Sequence, residues 1–199
     1  MTEHNNQGWA NPTPAGLIAI ATVMFLFYAV LGGHVKSTAV PLLGIWLLGG
    51  FVVQVIVGII DLKSGQITGG NVMLFFGAFL MMVSGLEYIL KYFAVVNQWP
   101  LDATIDGYGW LCLAIALIVW TPAFLKTTPM EMSLVIMGLD VGILAVALMD
   151  LKVLPHTFAE PVSYLCMVVG IIAIYLGGAI VVNTAFGRSV YKIHGPIIK

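Results

Sequence analysis

Six long apolar runs, separated by short polar segments, organise the chain. They cover about 14–31, 40–60, 70–90, 108–125, 132–149 and 161–183. None shows the ten-residue alternation of a membrane β-barrel strand, and each is long enough for a helix. A helix needs about 20 apolar residues to cross the hydrocarbon core of a bilayer, and it satisfies its own backbone polar groups while doing so. The pattern predicts an all-α membrane protein, with six transmembrane helices forming a bundle with a central solute pathway. It divides the chain into a tail at 1–13, a membrane domain at 14–183 and a second tail at 184–199.

The polar segments carry turn chemistry. The first run ends at Gly32-Gly33, and the second ends in DLKSGQ with Gly65 placed as a C-cap. The longest connection, 91–107, holds Asn97, Pro100, Asp102 and Asp106 and reads as an ordered external loop. Trp9, Tyr92, Trp99, Tyr108, Trp110 and Tyr164 cluster near the ends of runs, where interfacial anchors belong. Six crossings put both termini on one side. That side carries Lys63, Lys126, Arg188, Lys192 and Lys199, the other Lys36, Lys91 and Lys152, so the positive-inside rule places both termini in the cytoplasm of a cell-membrane protein. The opening MTEHNNQGWANPTP has neither a basic n-region nor an A-x-A site, so the first run is expected to be a permanent span.

Composition sharpens this picture. Of 199 residues, 60% are hydrophobic and 9% charged, against about 25% charged in a soluble domain. Mean hydropathy is +1.03. A net charge of −1 leaves no basic footprint for nucleic acid. Cys112 and Cys166 lie in apolar runs and read as small apolar filler. His4, His34, His156 and His194 fall in tails or loops, so no haem or metal site, and no cofactor, is expected. No G-x-S-x-G, H-E-x-x-H or P-loop motif occurs, so no catalytic residue stands out and passage of a small solute is the default.

Three polar residues interrupt the runs. Glu87 lies four residues before Lys91, which makes an i,i+4 pair near the interface. Asp140, in MGLDVGIL between Gly138 and Gly142, has no such partner. It reads either as a proton-responsive group on a water-filled pathway or as the partner of a buried polar group on another helix. Gln54 can donate to and accept from a carboxylate or amide solute, or bond between helices. The 22 glycines, many within runs, allow close helix packing.

Asn11-Pro12-Thr13-Pro14-Ala15-Gly16-Leu17 opens the first run and resembles the N-P-x-P-x-G-L signature of the acetate uptake transporter family, the SatP/YaaH-like acetate–succinate permeases. The likeness continues through GGFVVQVIVGIIDLKSGQITGG at 49–70, similar to the family's GG…Q…G…E-x-K-x-G-N…G segment. It ends in AIYLGGAIVVNTAFGRSV at 173–190, similar to the family's A-I-Y…N…F-G-R run. The first block also makes physical sense. Prolines suit a helix start, Asn11 can cap it, and the free N–H groups there favour a carboxylate.

The resemblance implies transport of acetate and similar short monocarboxylates, as a channel or a proton symporter, through a pathway in each protomer of a homo-hexamer. It implies solute contacts at Asn11, Pro12, Gly16, Gln54, Ala173 and Tyr175, and a hydrophobic constriction at Ile20, Phe76 and Leu139. Ile20 departs from the pattern, where an aromatic is expected, and Asp140 departs where a hydroxyl is expected. Asp140 is expected to take up a proton during passage. The rivals are a hexameric urea or amide channel, for which an acidic Asp140 is better suited, and a non-transporting membrane scaffold.

Overall fold

A computed structural model describes residues 9–199; residues 1–8, with His4 and most of the N-terminal tail, lie outside the described residues. Six helices are long and apolar enough to span a membrane: α1 Thr13–Leu31, α2 Ser37–Lys63, α3 Ile67–Val96, α4 Thr104–Thr127, α5 Met130–Asp150 and α6 His156–Phe186. Each contains the corresponding apolar run and extends it by a few residues. The extension is largest around 91–107, where α3 runs on to Val96 and α4 starts at Thr104. The expected long external loop is therefore only residues 97–103. Apolar and aromatic residues flanking Lys91 and Asp106 continue the helices past the first charges, and those two charges pair across the gap.

Helix ends follow from local sequence. After α2, Gly65 takes φ +81°, and its N–H reaches the Leu62 carbonyl while that of Gln66 reaches Asp61, closing a Schellman turn. Gly33 ends α1 in the same way. α3 and α5 end on left-handed Gln98 and Lys152, which no glycine signal marks in the sequence. At the start of α4, Asp102 accepts from the Thr104 N–H, and hydrogen bonds from Thr104 hold its carboxyl below the usual range.

The helices form a ring in chain order, each packing on the next, with α6 closing against α1 and only light contact between α3 and α4. Interior and outer surface are both apolar, and a few polar side chains are kept to the interior. On α2 the outward positions are Leu42, Ile45, Trp46, Val52, Ile56 and Ile59, whereas Gln54 and Asp61 face inward. Ser84, Ser133 and Ser163 are likewise buried. Lipid imposes this arrangement, because a polar group in hydrocarbon has no partner and an aliphatic one needs none. The antiparallel pair α2–α3 is drawn together at glycines: a Cβ on Gly44 would stand 2.5 Å from the Gly85 carbonyl oxygen, and one on Gly58 2.9 Å from that of Gly70. Within α3, Phe76–Val83 is a π-helical stretch, a local widening often found at functional positions.

Candidate functional site

Two vestibules enter the ring from opposite ends. The first, about 190 Å³, opens between the ends of α1, α3 and α5 and the starts of α4 and α6. Glu87, Lys91, Asp150 and His156 line its mouth with Tyr88 and Trp110. Lys91 is 3.9 Å from Glu87 and closer still to Asp106 of α4. The i,i+4 pair expected from sequence is therefore present, but the stronger partner comes from the next helix. Three carboxylates face one lysine at this loop-side mouth.

The second vestibule, about 500 Å³, opens on the side of the chain termini. Asn11, Pro12 and Thr13 from the start of α1 line it, together with Asp61, Ser64, Gln66 and Thr68 around the α2–α3 turn. Asn11 precedes the N-cap residue Pro12 and accepts from the Thr13 N–H at 3.0 Å. The first three residues of the N-terminal motif thus line a cavity.

The floors of the two vestibules lie seven residues apart on three helices: Met73 and Leu80 on α3, Met132 and Leu139 on α5, Leu176 and Val169 on α6. Seven helical residues are two turns, so an apolar layer about 10 Å thick separates the cavities. Ile20, Phe76 and Ala173 are buried members of the same continuous core as these floor residues. Of the three expected constriction residues, Leu139 forms part of the loop-side floor, while Ile20 and Phe76 line neither cavity.

Other expected site residues are placed differently. Gln54 is fully buried and lines neither of these cavities; its amide donates to the Gly16 carbonyl at 3.3 Å, and its Oε1 has no partner among the described residues. Gly16 is a packing position, since a Cβ there would meet the Met73 sulfur at 2.9 Å. Tyr175 points away from Ala173, as two residues of helix require, and its hydroxyl donates to the Lys192 carbonyl at 2.7 Å. Asp140 accepts from the Thr121 hydroxyl of α4 at 2.6 Å and lines neither cavity. Gly138 and Gly142, its small neighbours, line the loop-side vestibule.

Sequence reasoning passed over Asp61, because it sits at the edge of a run, where a charge looks interfacial. It also left open the role of the C-terminal segment. Glu131, 5% exposed, receives the His194 N–H at 3.1 Å and contacts its Nδ1 at 2.6 Å, a pairing 63 residues apart that no local pattern signals. Among the described residues no cluster of three or more His, Cys, Asp or Glu is placed to hold a metal.

Comparison with known proteins adds to this geometry. A search of curated proteins finds no match. Among solved structures, one described as "Structure of the bacterial acetate channel SatP" superposes with a TM-score of 0.77 at 19% identity, covering 93% of this chain and 99% of that one. The likeness establishes a shared six-helix fold. Residues 1–193 match the model of the GPR1/FUN34/yaaH family, and the chain belongs to that family.

Proposed function

We propose that the chain is a conduit for acetate and similar short monocarboxylates, with one pathway through each protomer. The observation that carries this reading is the pair of opposed vestibules, aligned across a thin apolar layer on three helices. A dewetted layer of that kind resists ions until a solute fills it, which lets small structural changes gate flux. Ile20, Phe76 and Leu139 act as the constriction, and the aliphatic Ile20 makes it smoother than an aromatic would. Ala173, beside it on α6, sets how much room the solute has. The solved relative described as an acetate channel supports the substrate class. The assembly is a homo-hexamer, both termini are cytoplasmic, and the protein is a transporter rather than an enzyme. Asp140 is read as a tether between α4 and α5 in place of a proton-responsive group, because its Oδ2 meets Thr121 and it lines neither vestibule; its Oδ1 is buried without a partner among the described residues.

The test is flux of radiolabelled acetate into liposomes containing the purified protein, with and without an imposed proton gradient. Accumulation driven by the gradient identifies a symporter, and equilibration alone identifies a channel. No flux above protein-free liposomes overturns the reading. A urea or amide channel is the second reading, favoured by the carboxylates that line both vestibules, Glu87 and Asp150 on the loop side and Asp61 on the other. Competition by unlabelled urea but not acetate would establish it.

A further inference from the structure

The terminal-side vestibule holds a charged group for which the constriction has no use. Asp61, in the last turn of α2, lines the cavity yet is only 3% exposed. Among the described residues its carboxylate takes no hydrogen bond and forms no ion pair. Among the described residues it is the one acidic or basic side chain lining this cavity. Lys63, two residues on, stacks over the Trp9 ring at 5.0 Å. On the facing helices Lys126 of α4 is not among the lining residues, and Glu131 of α5 is turned to His194 of the C-terminal segment.

The rest of the lining mixes polar and apolar side chains. With Asp61 it carries the Asn11 amide and the hydroxyls of Thr13, Ser64 and Thr68, all without side-chain donations among the described residues. It also carries Thr127 and Thr128, whose hydroxyls donate to backbone carbonyls, and the apolar floor of Met73, Phe124, Met132 and Leu176. A buried, unpaired carboxylate repels an anion and favours a partner that brings its own proton. Neutral donors beside it suit a carbonyl oxygen, and the apolar floor suits a short alkyl group.

We propose that this vestibule is a binding site for the undissociated form of a short monocarboxylic acid, with Asp61 as the acceptor of its proton. The inference rests on the reading of the chain as a monocarboxylate conduit. The acid arrives through the apolar layer with its O–H aimed at Asp61. Its O–H bond breaks as the new O–H bond on Asp61 forms, leaving a carboxylate anion beside a neutral side chain. Asn11 and the threonine hydroxyls hold that anion until it leaves for water, and Asp61 then gives its proton to the solvent. Run backwards, the same steps assemble the neutral acid before it crosses the layer.

Radiolabelled acetate flux in liposomes tests this with wild type, Asp61→Asn and Asp61→Glu, at fixed total acetate from about pH 5.5 to 7.5, protein-free liposomes subtracted. The undissociated fraction of the acid falls about tenfold per pH unit in this range, and wild-type flux is expected to fall with it. Asp61→Asn cannot take the proton, so its flux is expected to fall at least about tenfold at every pH, with Asp61→Glu restoring it. No wild-type flux at any pH overturns the transport reading itself. Asp61→Asn flux within about twofold of wild type overturns the role of Asp61 alone. Infrared difference spectra of wild type on adding carbon-13 acetate give a second readout that does not depend on the asparagine variant folding. A new protonated side-chain carboxyl band, shifted in Asp61→Glu, is expected, and its absence overturns the proposal.

Discussion

Asp140 follows Leu139 in sequence, but the two look in different directions, because successive helical residues are about 100° apart. Leu139 faces the loop-side vestibule, and Asp140 reaches across to Thr121, whose single hydroxyl proton is shared between that carboxylate and the Leu117 carbonyl. Asparagine keeps an oxygen that accepts from Thr121, so Asp140→Asn is expected to leave acetate flux and its pH profile within about twofold of wild type. Asp140→Ala loses the bond and is expected to cost about 0.5–1.5 kcal/mol, read as a lower melting temperature in detergent. A changed pH profile in Asp140→Asn would return the residue to the pathway. Gln54 and Tyr175 teach the same lesson. Their chemistry was legible, but their direction was not, because tertiary packing decides which of their polar atoms meet a partner. Gln54 found Gly16, and Tyr175 found the C-terminal segment.

At the scale of elements, the bilayer made the helices readable. Lipid requires a continuous apolar stretch, and six such stretches have no other stable form. Their ends were readable where glycine marks them, as at Gly33 and Gly65, and hidden where Gln98 and Lys152 adopt the same left-handed turn. The π-helical stretch from Phe76 to Val83 was not marked by any signal read in the sequence either. Packing of α2 on α3 is where the glycines act. At Gly44 the obstacle to a Cβ is the Gly85 carbonyl oxygen, part of a backbone that cannot rotate aside. Gly44→Ala must therefore separate the helices and is expected to destabilise by about 1–3 kcal/mol. Gly109→Ala is the control, because nothing stands within 4 Å of a Cβ there, and it is expected to be neutral or mildly stabilising through helix propensity. Thermal unfolding of both variants in the same detergent makes the comparison; equal shifts would mean the α2–α3 contact is looser than this geometry.

At the scale of the molecule, the ring of helices is bound by chain order on one side and by the C-terminal segment on the other. After Gly187 the chain turns back along α6, where the Asn183 side chain takes the N–H groups of Val190 and Tyr191 and donates to the Tyr191 carbonyl. It then meets Glu131 at the start of α5 through His194, and ends with the Ile198 N–H on the Leu125 carbonyl of α4. Three helices that wall the terminal-side vestibule are thus tied by one strap whose own residues do not line it. The buried Glu131 carboxylate loses its partners if the strap is removed, and an unsatisfied buried acceptor costs about 1–3 kcal/mol. Truncation after Gly187 is therefore expected to lower the melting temperature by roughly 2–10 °C, with Glu131→Gln, which keeps one acceptor oxygen, falling between. Because the strap stands outside the vestibule, acetate flux per folded protein is expected to persist in both variants. A truncation that abolishes flux while the melting temperature holds would instead make the strap part of the conduit's gate.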